Sequence, residues 1–479
     1  MLAQSFAPSL ESLPPTSARV SIAPRSLIAS LVYMAAGTDK GRARSDNQDS
    51  FIVDPGLGLA VVCDGMGGHA AGDSASQLAA RTFAAAVFAG KEQLREYVEC
   101  DDELQQVSKR DIAELLQLAA NTASQAVYQE SVDDPEKRGM GTTLVAVLVL
   151  NNHAFVVNVG DSRAYLLRDG DLEQLTRDHN VYNELIRRKK IGVEVVKQVA
   201  SKNALTRAVG VYEHCDAETL VIDVAEGDRI LLCSDGLYRY FEPPEGAAED
   251  LRRQLLEDDD QHVVDALIDS ANTLGGRDNI TAVVVTIGKV GDYDSRVLSE
   301  ISTRREALAQ SPLFSLLDER ELLRVLSVTE VRRCFPRQEI FAQGDTGGEV
   351  YVVLSGGVSV YRSETLVAEL KVGQHFGEMS LIRDRPRSAR AVATQQTELL
   401  VIPREAFFGL LRGEHELGMK LLWQFTSVLA DRLAETTCEL GSSRTEVDID
   451  IEDLAREVFY DDASGSITLR PASYMPSKL

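Results

Sequence analysis

Val62-Cys63-Asp64-Gly65-Met66-Gly67-Gly68-His69 decides how this chain is read. The run Leu59–Cys63 is apolar and β-branched, and it delivers a carboxylate into a glycine-rich turn. A carboxylate where a buried strand gives way to a turn is costly unless something positive compensates it. The pattern recurs in one order along the first half of the chain. Arg44-Ser45-Asp46-Asn47-Gln48-Asp49 precedes it; Gly160-Asp161-Ser162-Arg163, Cys233-Ser234-Asp235-Gly236-Leu237 and Arg277-Asp278-Asn279-Ile280-Thr281 follow. Ala154–Val159, Arg229–Cys233 and Ala282–Ile287 flank these later islands and predict further strands. Carboxylates converging in this way repel one another, so a hard divalent cation with oxygen ligands is their natural partner. Without a soft Cys/His cluster the expected ion is magnesium or manganese rather than zinc. The first half therefore reads as a metal-dependent enzyme.

With those islands in place, the chain from about Leu31 to Ile287 resembles the type-2C metal-dependent Ser/Thr protein phosphatases, most closely their bacterial members. Leu205-Thr206-Arg207-Ala208-Val209-Gly210 and Gly139-Met140-Gly141-Thr142-Thr143 match the family as well. The resemblance implies an α+β domain, a two-sheet β-sandwich flanked by helices. It also implies two metal ions, Mn2+ or Mg2+, roughly 3.5–4 Å apart, which activate a water as the hydroxide that attacks phosphorus in line. By the family's pattern Asp64 bridges the two ions, and the Gly65 carbonyl serves the second. Asp235 and Asp278 complete the shell of the first. Asp161 matches the aspartate that holds a third, weaker ion in bacterial members, shared with Asp235. Arg44 matches the phosphate-binding arginine, whose planar fork suits two phosphate oxygens. Asp49 is expected to orient metal-bound water.

Two positions depart from the animal members of the family. Gln48 stands where they have a glutamate ligand, and a neutral amide there should weaken the second site. Met66 stands where they have a histidine two residues after the bridging aspartate. His69 is nearby at the wrong spacing, so protonation of the leaving alkoxide by metal-bound water is the simpler account. Between His179 and Lys202 the chain carries Arg187, Arg188, Lys189, Lys190, Lys197 and Lys202. The resembled family has a mobile flap in this region. Here it either steers an acidic, phosphorylated substrate by charge or is a solvated helical face.

The second half reads differently. Pro312-Leu313-Phe314-Ser315-Leu316-Leu317-Asp318 predicts a short helix. Strand-like segments such as Val350–Leu354 and Val358–Tyr361 follow, punctuated by Gly344-Asp345, Gly347-Gly348 and Ser355-Gly356-Gly357. Short strands at this spacing predict a small barrel or jelly roll. Phe376-Gly377-Glu378-Met379-Ser380-Leu381-Ile382-Arg383-Asp384-Arg385-Pro386-Arg387-Ser388-Ala389 resembles the phosphate-binding cassette of cyclic nucleotide-binding domains, over about Ser311 to Leu433. Gly377 and the residues after it would present backbone N–H groups to an anion at a helix start. The resemblance implies that Arg387 pairs with the exocyclic phosphate oxygens and that Glu378 accepts a ribose hydroxyl. Ser388 and Ser380 would add hydroxyl donors. Cyclic AMP is favoured over cyclic GMP on the bacterial resemblance alone.

Arg404–Leu411 and Met419–Leu433 read as helices, the second with Leu421, Leu422, Phe425, Val428, Leu429 and Leu433 at helical spacing. This stripe packs on its own barrel or pairs with a second copy in a homodimer. Trp423 lies off it, to cap a ligand or face a partner. Val297, Ile301 and Leu308 are spaced for a helical connector across 290–310. The expected organisation is a disordered segment at 1–26, with Pro8, Pro14, Pro15 and Pro24; a phosphatase domain at 27–289; the connector at 290–310; a nucleotide-binding domain at 311–437; and an acidic tail at 438–479.

A length of 479 residues accommodates two or three units, each with its own core. The net charge of −24 argues against nonspecific binding to nucleic-acid phosphates. Leu27–Ala36 follows Arg19 and Arg25 but is interior and short, so it reads as a strand rather than a signal peptide. No run reaches the roughly 18 apolar residues of a membrane span. Cys63, Cys100, Cys215, Cys233, Cys334 and Cys438 show no paired spacing, which suits a reducing cytoplasm. Cys63 and Cys233 read as small core hydrophobes. The expected protein is thus a Ser/Thr phosphatase of phosphorylated proteins in signal transduction, regulated by cyclic nucleotide. The competing reading is a phosphatase-fold scaffold or docking protein whose second domain binds no nucleotide.

Overall fold

Successive residues leave a strand on opposite faces, and that alternation organises the first half of the molecule. The computed structural model describes residues 17–22, 32–99, 107–187, 204–242, 247–288, 303–379, 386–413, 415–441, 459–461 and 466–468. In chain order the strands of the first half are β1 (Ser17–Ile22), β2 (Val32–Asp39), β3 (Asp49–Asp54), β4 (Leu59–Met66), β5 (Gly141–Thr142), β6 (Leu144–Leu150), β7 (His153–Val159), β8 (Arg163–Arg168), β9 (Asp171–Gln174), β10 (Glu218–Asp223), β11 (Arg229–Cys233) and β12 (Ile280–Ile287). One six-stranded sheet has the order β1-β2-β12-β11-β8-β9, and the other runs β10-β7-β6-β4-β3 with β5 beside β4.

On β4, Ala60 and Val62 enter a cluster between the sheets with Val145, Val147, Ile230 and Val283. Val61 and Cys63 point the other way, against Phe83, Val87 and Leu116 on the helices His69–Ala89 and Lys109–Asp133. The opposite sheet is covered likewise: Leu231, Cys233 and Val284 meet Leu251, Val263 and Leu267 on Ala248–Leu255 and Asp260–Thr273. Each such aliphatic side chain, fully buried, contributes about 1.5–3 kcal/mol. Burial on both faces explains why β4, β6 and β12 read as near-continuous apolar runs.

This topology brings the acidic islands together. Asp49 opens β3 directly opposite Asp64 on β4. Cys233, at the end of β11, pairs with Ala282 on one side and with Arg163 on the other. Asp235, Asp278 and Asp161 therefore leave neighbouring strands at the same end of the sandwich.

The second half contains β13 (Glu330–Cys334), β14 (Glu339–Phe341), β15 (Glu349–Ser355), β16 (Val358–Arg362), β17 (Thr365–Leu370), β18 (His375–Phe376), β19 (Arg390–Ala393) and β20 (Thr397–Pro403). They form two four-stranded sheets, β13-β20-β15-β18 and β14-β19-β16-β17, around Tyr351, Val353, Phe376, Leu399 and Val401. Among the described residues this is a two-sheet roll and not a closed barrel. Helices Arg404–Gly413 and His415–Gly441 follow it.

Several expectations are corrected. Ser17–Ile22 lies inside the segment expected to be disordered, yet it is a strand paired with Met34–Asp39. The alternation of Val20 and Ile22 suits an edge strand, and the surrounding prolines masked that signal. By packing, residues up to Leu422 form one compact unit and Trp423–Leu479 a second. Within the first unit, Leu323 of the helix Glu319–Leu326 is buried in the sandwich cluster with Leu220 and Ile222 of β10. Residues 303–310 of the connector are helical. Within the expected acidic tail, Phe459–Asp461 pairs with Ser466–Thr468. Among the described residues, no helix is long and apolar enough to cross a membrane.

Candidate functional site

The backbone of Asp64 is held by the turn that precedes β6. Its N–H donates to Thr143 Oγ1 at 2.9 Å, and its carbonyl accepts from Thr142 Oγ1 at 2.8 Å and from the Thr143 amide at 2.9 Å. This explains why the Gly139-to-Thr143 turn travels with the aspartate islands. Gly65 is required by the backbone itself, since a Cβ there would lie 2.1 Å from the Gly72 carbonyl oxygen. Gly236 is under the same constraint, 2.0 Å from the Asn279 carbonyl oxygen.

Asp49 is buried. Its Oδ2 accepts hydrogen bonds from Ser234 Oγ and Thr281 Oγ1, both at 2.7 Å, while Oδ1 is a buried oxygen with no hydrogen-bond partner among the described residues. Burial, reinforced by Asp235 and Asp278, pushes the Asp49 carboxyl up to about 7 against its two hydroxyl donors. Asp64 is raised well above the ordinary carboxylate range, by burial first and then by Asp49, Asp235, Asp161 and Asp278. Asp161 is pushed up to about 7 by burial and by the charges of Asp235 and Asp178. Asp235 is also raised, again by burial first, with Arg239 opposing.

The expected carboxylates thus share one buried field, and an all-oxygen, mutually repelling set with an unsatisfied Asp49 Oδ1 fits hard divalent cations. Among the described residues no three His, Cys, Asp or Glu side chains are drawn close enough to enclose one ion. Guanidinium groups supply the local positive charge instead. Arg239 pairs with Asp235, and Arg44 Nη2 lies 2.8 Å from Asp278 Oδ2. Arg44, expected on phosphate, therefore rests on a carboxylate at the mouth of the site, with 53% of its side chain exposed.

Gln48 immediately precedes β3 and packs against the first long helix: its carbonyl accepts from the Gly65 amide at 3.1 Å, and a Cβ on Gly72 would sit 2.7 Å from its Cδ. Met66 ends β4. The side chain of His69 and the basic flap beyond Arg187 lie outside the described residues.

Sequence reasoning missed three contributors. Ser234 and Thr281 hold Asp49 yet stood in the quoted islands as mere neighbours of the aspartates. Arg239 is one helical turn beyond Asp235, a spacing that could have revealed it. Behind the site, buried Arg163 donates from Nε and Nη2 to the two oxygens of Asp178 at 2.8 Å each and lies over the Tyr238 ring at 3.6 Å. No local pattern announces that pair, because a hairpin separates its members.

In the roll, Arg387 is only 4% exposed. Its Nη1 donates to the carbonyls of Glu349 at 3.0 Å and Gly377 at 3.2 Å, and its guanidinium lies over Phe341 at 4.3 Å. Burial holds its pKa below the usual arginine value. Gly377 has φ +81°, and a Cβ there would lie 2.7 Å from Arg387 Nη1, so only glycine admits the guanidinium. Glu378 is buried beside it and Ser388 is exposed; Ser380 lies outside the described residues.

Residues 36–270 match the family described as Protein phosphatase 2C, and residues 331–414 match the Cyclic nucleotide-binding domain family. The serine/threonine phosphatase stp of Listeria welshimeri is 36% identical over 259 residues, covering 52% of this chain and 93% of that relative. The serine/threonine protein phosphatase PstP of Mycobacterium tuberculosis is 35% identical over 260 residues, covering 54% of this chain and 45% of that one. Among solved structures, the catalytic domain of PstP in complex with two manganese ions is 31% identical with a TM-score of 0.43, covering 54% of this chain and 99% of that one. Fold, carboxylate site and relatives together define a phosphoryl hydrolase with an appended ligand-binding module. The chain belongs to the protein phosphatase 2C family and is a protein serine/threonine phosphatase, carrying a cyclic nucleotide-binding domain after its catalytic half.

Proposed function

We propose that this phosphatase removes phosphate from phosphoserine and phosphothreonine with the help of manganese or magnesium, and that cyclic nucleotide on the second domain, cyclic AMP in preference to cyclic GMP, sets its activity. Asp64, the Gly65 carbonyl, Asp235 and Asp278 would hold two ions and Asp161, with Asp235, a third. When bound, the ions supply Lewis-acid activation of the attacking water and neutralise charge developing on the phosphoryl group. The observation that carries this reading is the clustered carboxylate set, raised by burial first and by mutual repulsion second, with Asp49 Oδ1 lacking a donor among the described residues.

The chain's own residues then divide the work. Asp49, pinned at Oδ2 by Ser234 and Thr281, offers Oδ1 as the acceptor that orients the nucleophilic water. Arg44 exchanges Asp278 for the substrate's phosphoryl oxygens, and Arg239 releases Asp235 as the site fills. Met66 can donate no proton, so the leaving alkoxide takes its proton from water. In the roll, a cyclic phosphate displaces the Glu349 and Gly377 carbonyls from Arg387 and competes with the Glu349 carboxylate, 3.9 Å from Nη2, for its charge. Glu378 takes the ribose hydroxyl.

Phosphate release from a phosphothreonine peptide tests the catalytic half. The chain stripped with a chelator is expected to be inactive and to regain activity with manganese or magnesium. Full activity in the stripped chain would overturn the metal assignment.

A further inference from the structure

Glu218, at the start of β10, joins the two halves of the molecule. Its partner is the helix Glu319–Leu326, opened by a capping box in which the Asp318 and Glu321 side chains each accept the other's amide N–H at 2.9 Å. From this helix buried Arg324 donates Nη1 to the Thr219 carbonyl at 2.6 Å and pairs through Nη2 with Glu218 Oε1. The second Glu218 oxygen, Oε2, lies 3.1 Å from Nε2 of His179.

His179 Nδ1 accepts the amide N–H of Gly160 at 3.2 Å. That contact decides the tautomer: Nδ1 is the acceptor, so Nε2 carries the proton and donates to Glu218. Burial pushes His179 down to about 3, so the ring is neutral at neutral pH. A second bond, from the His179 amide to the Gly160 carbonyl at 2.8 Å, ties the two residues again. Gly160 has φ +108° and immediately precedes Asp161, so its peptide aims that carboxylate. At the other end, Lys420 Nζ, on the helix that follows the roll, holds both oxygens of Glu321 at 2.7 and 2.8 Å.

We propose that Glu218 and His179 are positioning residues for Asp161, and that Arg324 is the arm by which the nucleotide-binding half grips them. The proposal rests on the regulatory reading above and deepens it: a shift of the helices after the roll, transmitted through Lys420 and Glu321, loosens or tightens Arg324 on Glu218. The Gly160 peptide, and with it the weakest of the ion sites, responds.

The test uses the full chain and three readouts: hydrogen exchange of the segment containing the Gly160 amide, calorimetric titration with Mn2+, and phosphate release against Mn2+ concentration. Arg324→Met, which keeps the stem and removes the fork, is expected to speed exchange at Gly160 about fivefold. It should also weaken the last Mn2+ bound by a similar factor and abolish any nucleotide effect on either quantity. Arg324→Lys, retaining a charge within reach of Glu218, should restore part of the protection. If Arg324→Met lowers the melting temperature too far for use, Glu218→Gln probes the same link from the catalytic side with the same expectation. Exchange at Gly160 and Mn2+ titration both unchanged in these variants would overturn the proposal, even if the native chain answers to nucleotide. A native chain indifferent to both nucleotides would overturn the regulatory reading alone, leaving the exchange result to decide the positioning role.

Discussion

The two sites of this chain are electrostatic opposites. At the end of the sandwich, Asp49 and Asp161 are buried and Asp64 and Asp235 half-buried, and desolvation, reinforced by neighbouring aspartates, raises all four carboxyls. In the roll, the buried Arg387 guanidinium rests on two backbone carbonyls and an aromatic face, with the Glu349 carboxylate 3.9 Å from its Nη2. The acidic set can relieve its burial by taking up protons, whereas an arginine keeps its charge and must be surrounded by acceptors. On the proposed reading each site takes a ligand of opposite sign, cations in one case and an anion in the other. Buried charge is expensive, and that expense is what proposes both places as binding sites.

The largest effect expected from breaking this comparison is at the acidic site. Asp64→Asn should lower turnover of a phosphothreonine peptide by about a thousandfold or more. The chelated variant should nevertheless melt above the chelated native chain, because a repelling buried charge has gone. A lower melting point for that variant would contradict the electrostatic account.

At the basic site, Arg387→Leu should weaken cyclic AMP binding in calorimetry by about a hundredfold. An unchanged affinity would move the phosphate elsewhere in the roll.

A pH titration separates the two sites further. Asp49 and Asp161 have folded values of about 7 against an ordinary 3.8, so the folded chelated chain binds protons that the unfolded chain has released. The stability they contribute is present below 3.8 and is lost as pH rises through about 7. The melting temperature of the chelated chain should fall across that window, and Asp49→Asn should flatten the decline. A chelated chain that gains stability over the same window would contradict this.

The smallest effect concerns Gln48. Gln48→Glu should lower the Mn2+ concentration for half-maximal activity by roughly three- to tenfold, since a carboxylate replaces a neutral amide near the second ion. No change would show that position 48 takes no part in holding metal.

Much of this was legible in the sequence because the islands combine two local signals. β-Branched runs predict the strands, and an aspartate at the strand end predicts a costly carboxylate. Arg229–Cys233 was read to the residue, and Cys63 and Cys233 lie in the core as expected. Arg387 and Gly377 stood out in sequence singly, as parts of the cassette; that the guanidinium approaches the Gly377 backbone is seen only in the fold. What stayed hidden depends on contacts between distant segments. The Ser234 and Thr281 grip on Asp49 spans 185 and 232 residues. Arg324 reads in sequence as one more charge on an amphipathic helix, and Glu218 as an ordinary edge-strand acid. Only the docking of Leu323 into the sandwich brings them together. β1 was missed for the opposite reason: proline-rich surroundings outweighed a short alternation whose partner, β2, lies further along the chain.

The central claim is that the nucleotide-binding half governs the phosphatase half. The direct test is the rate of Mn2+-dependent phosphate release from a phosphothreonine peptide by the full chain, measured with and without saturating cyclic AMP and cyclic GMP, and repeated with Arg387→Leu. The account predicts a rate that changes with cyclic AMP in the native chain and loses that response in Arg387→Leu. A rate indifferent to both nucleotides, while calorimetry shows them bound, would contradict it.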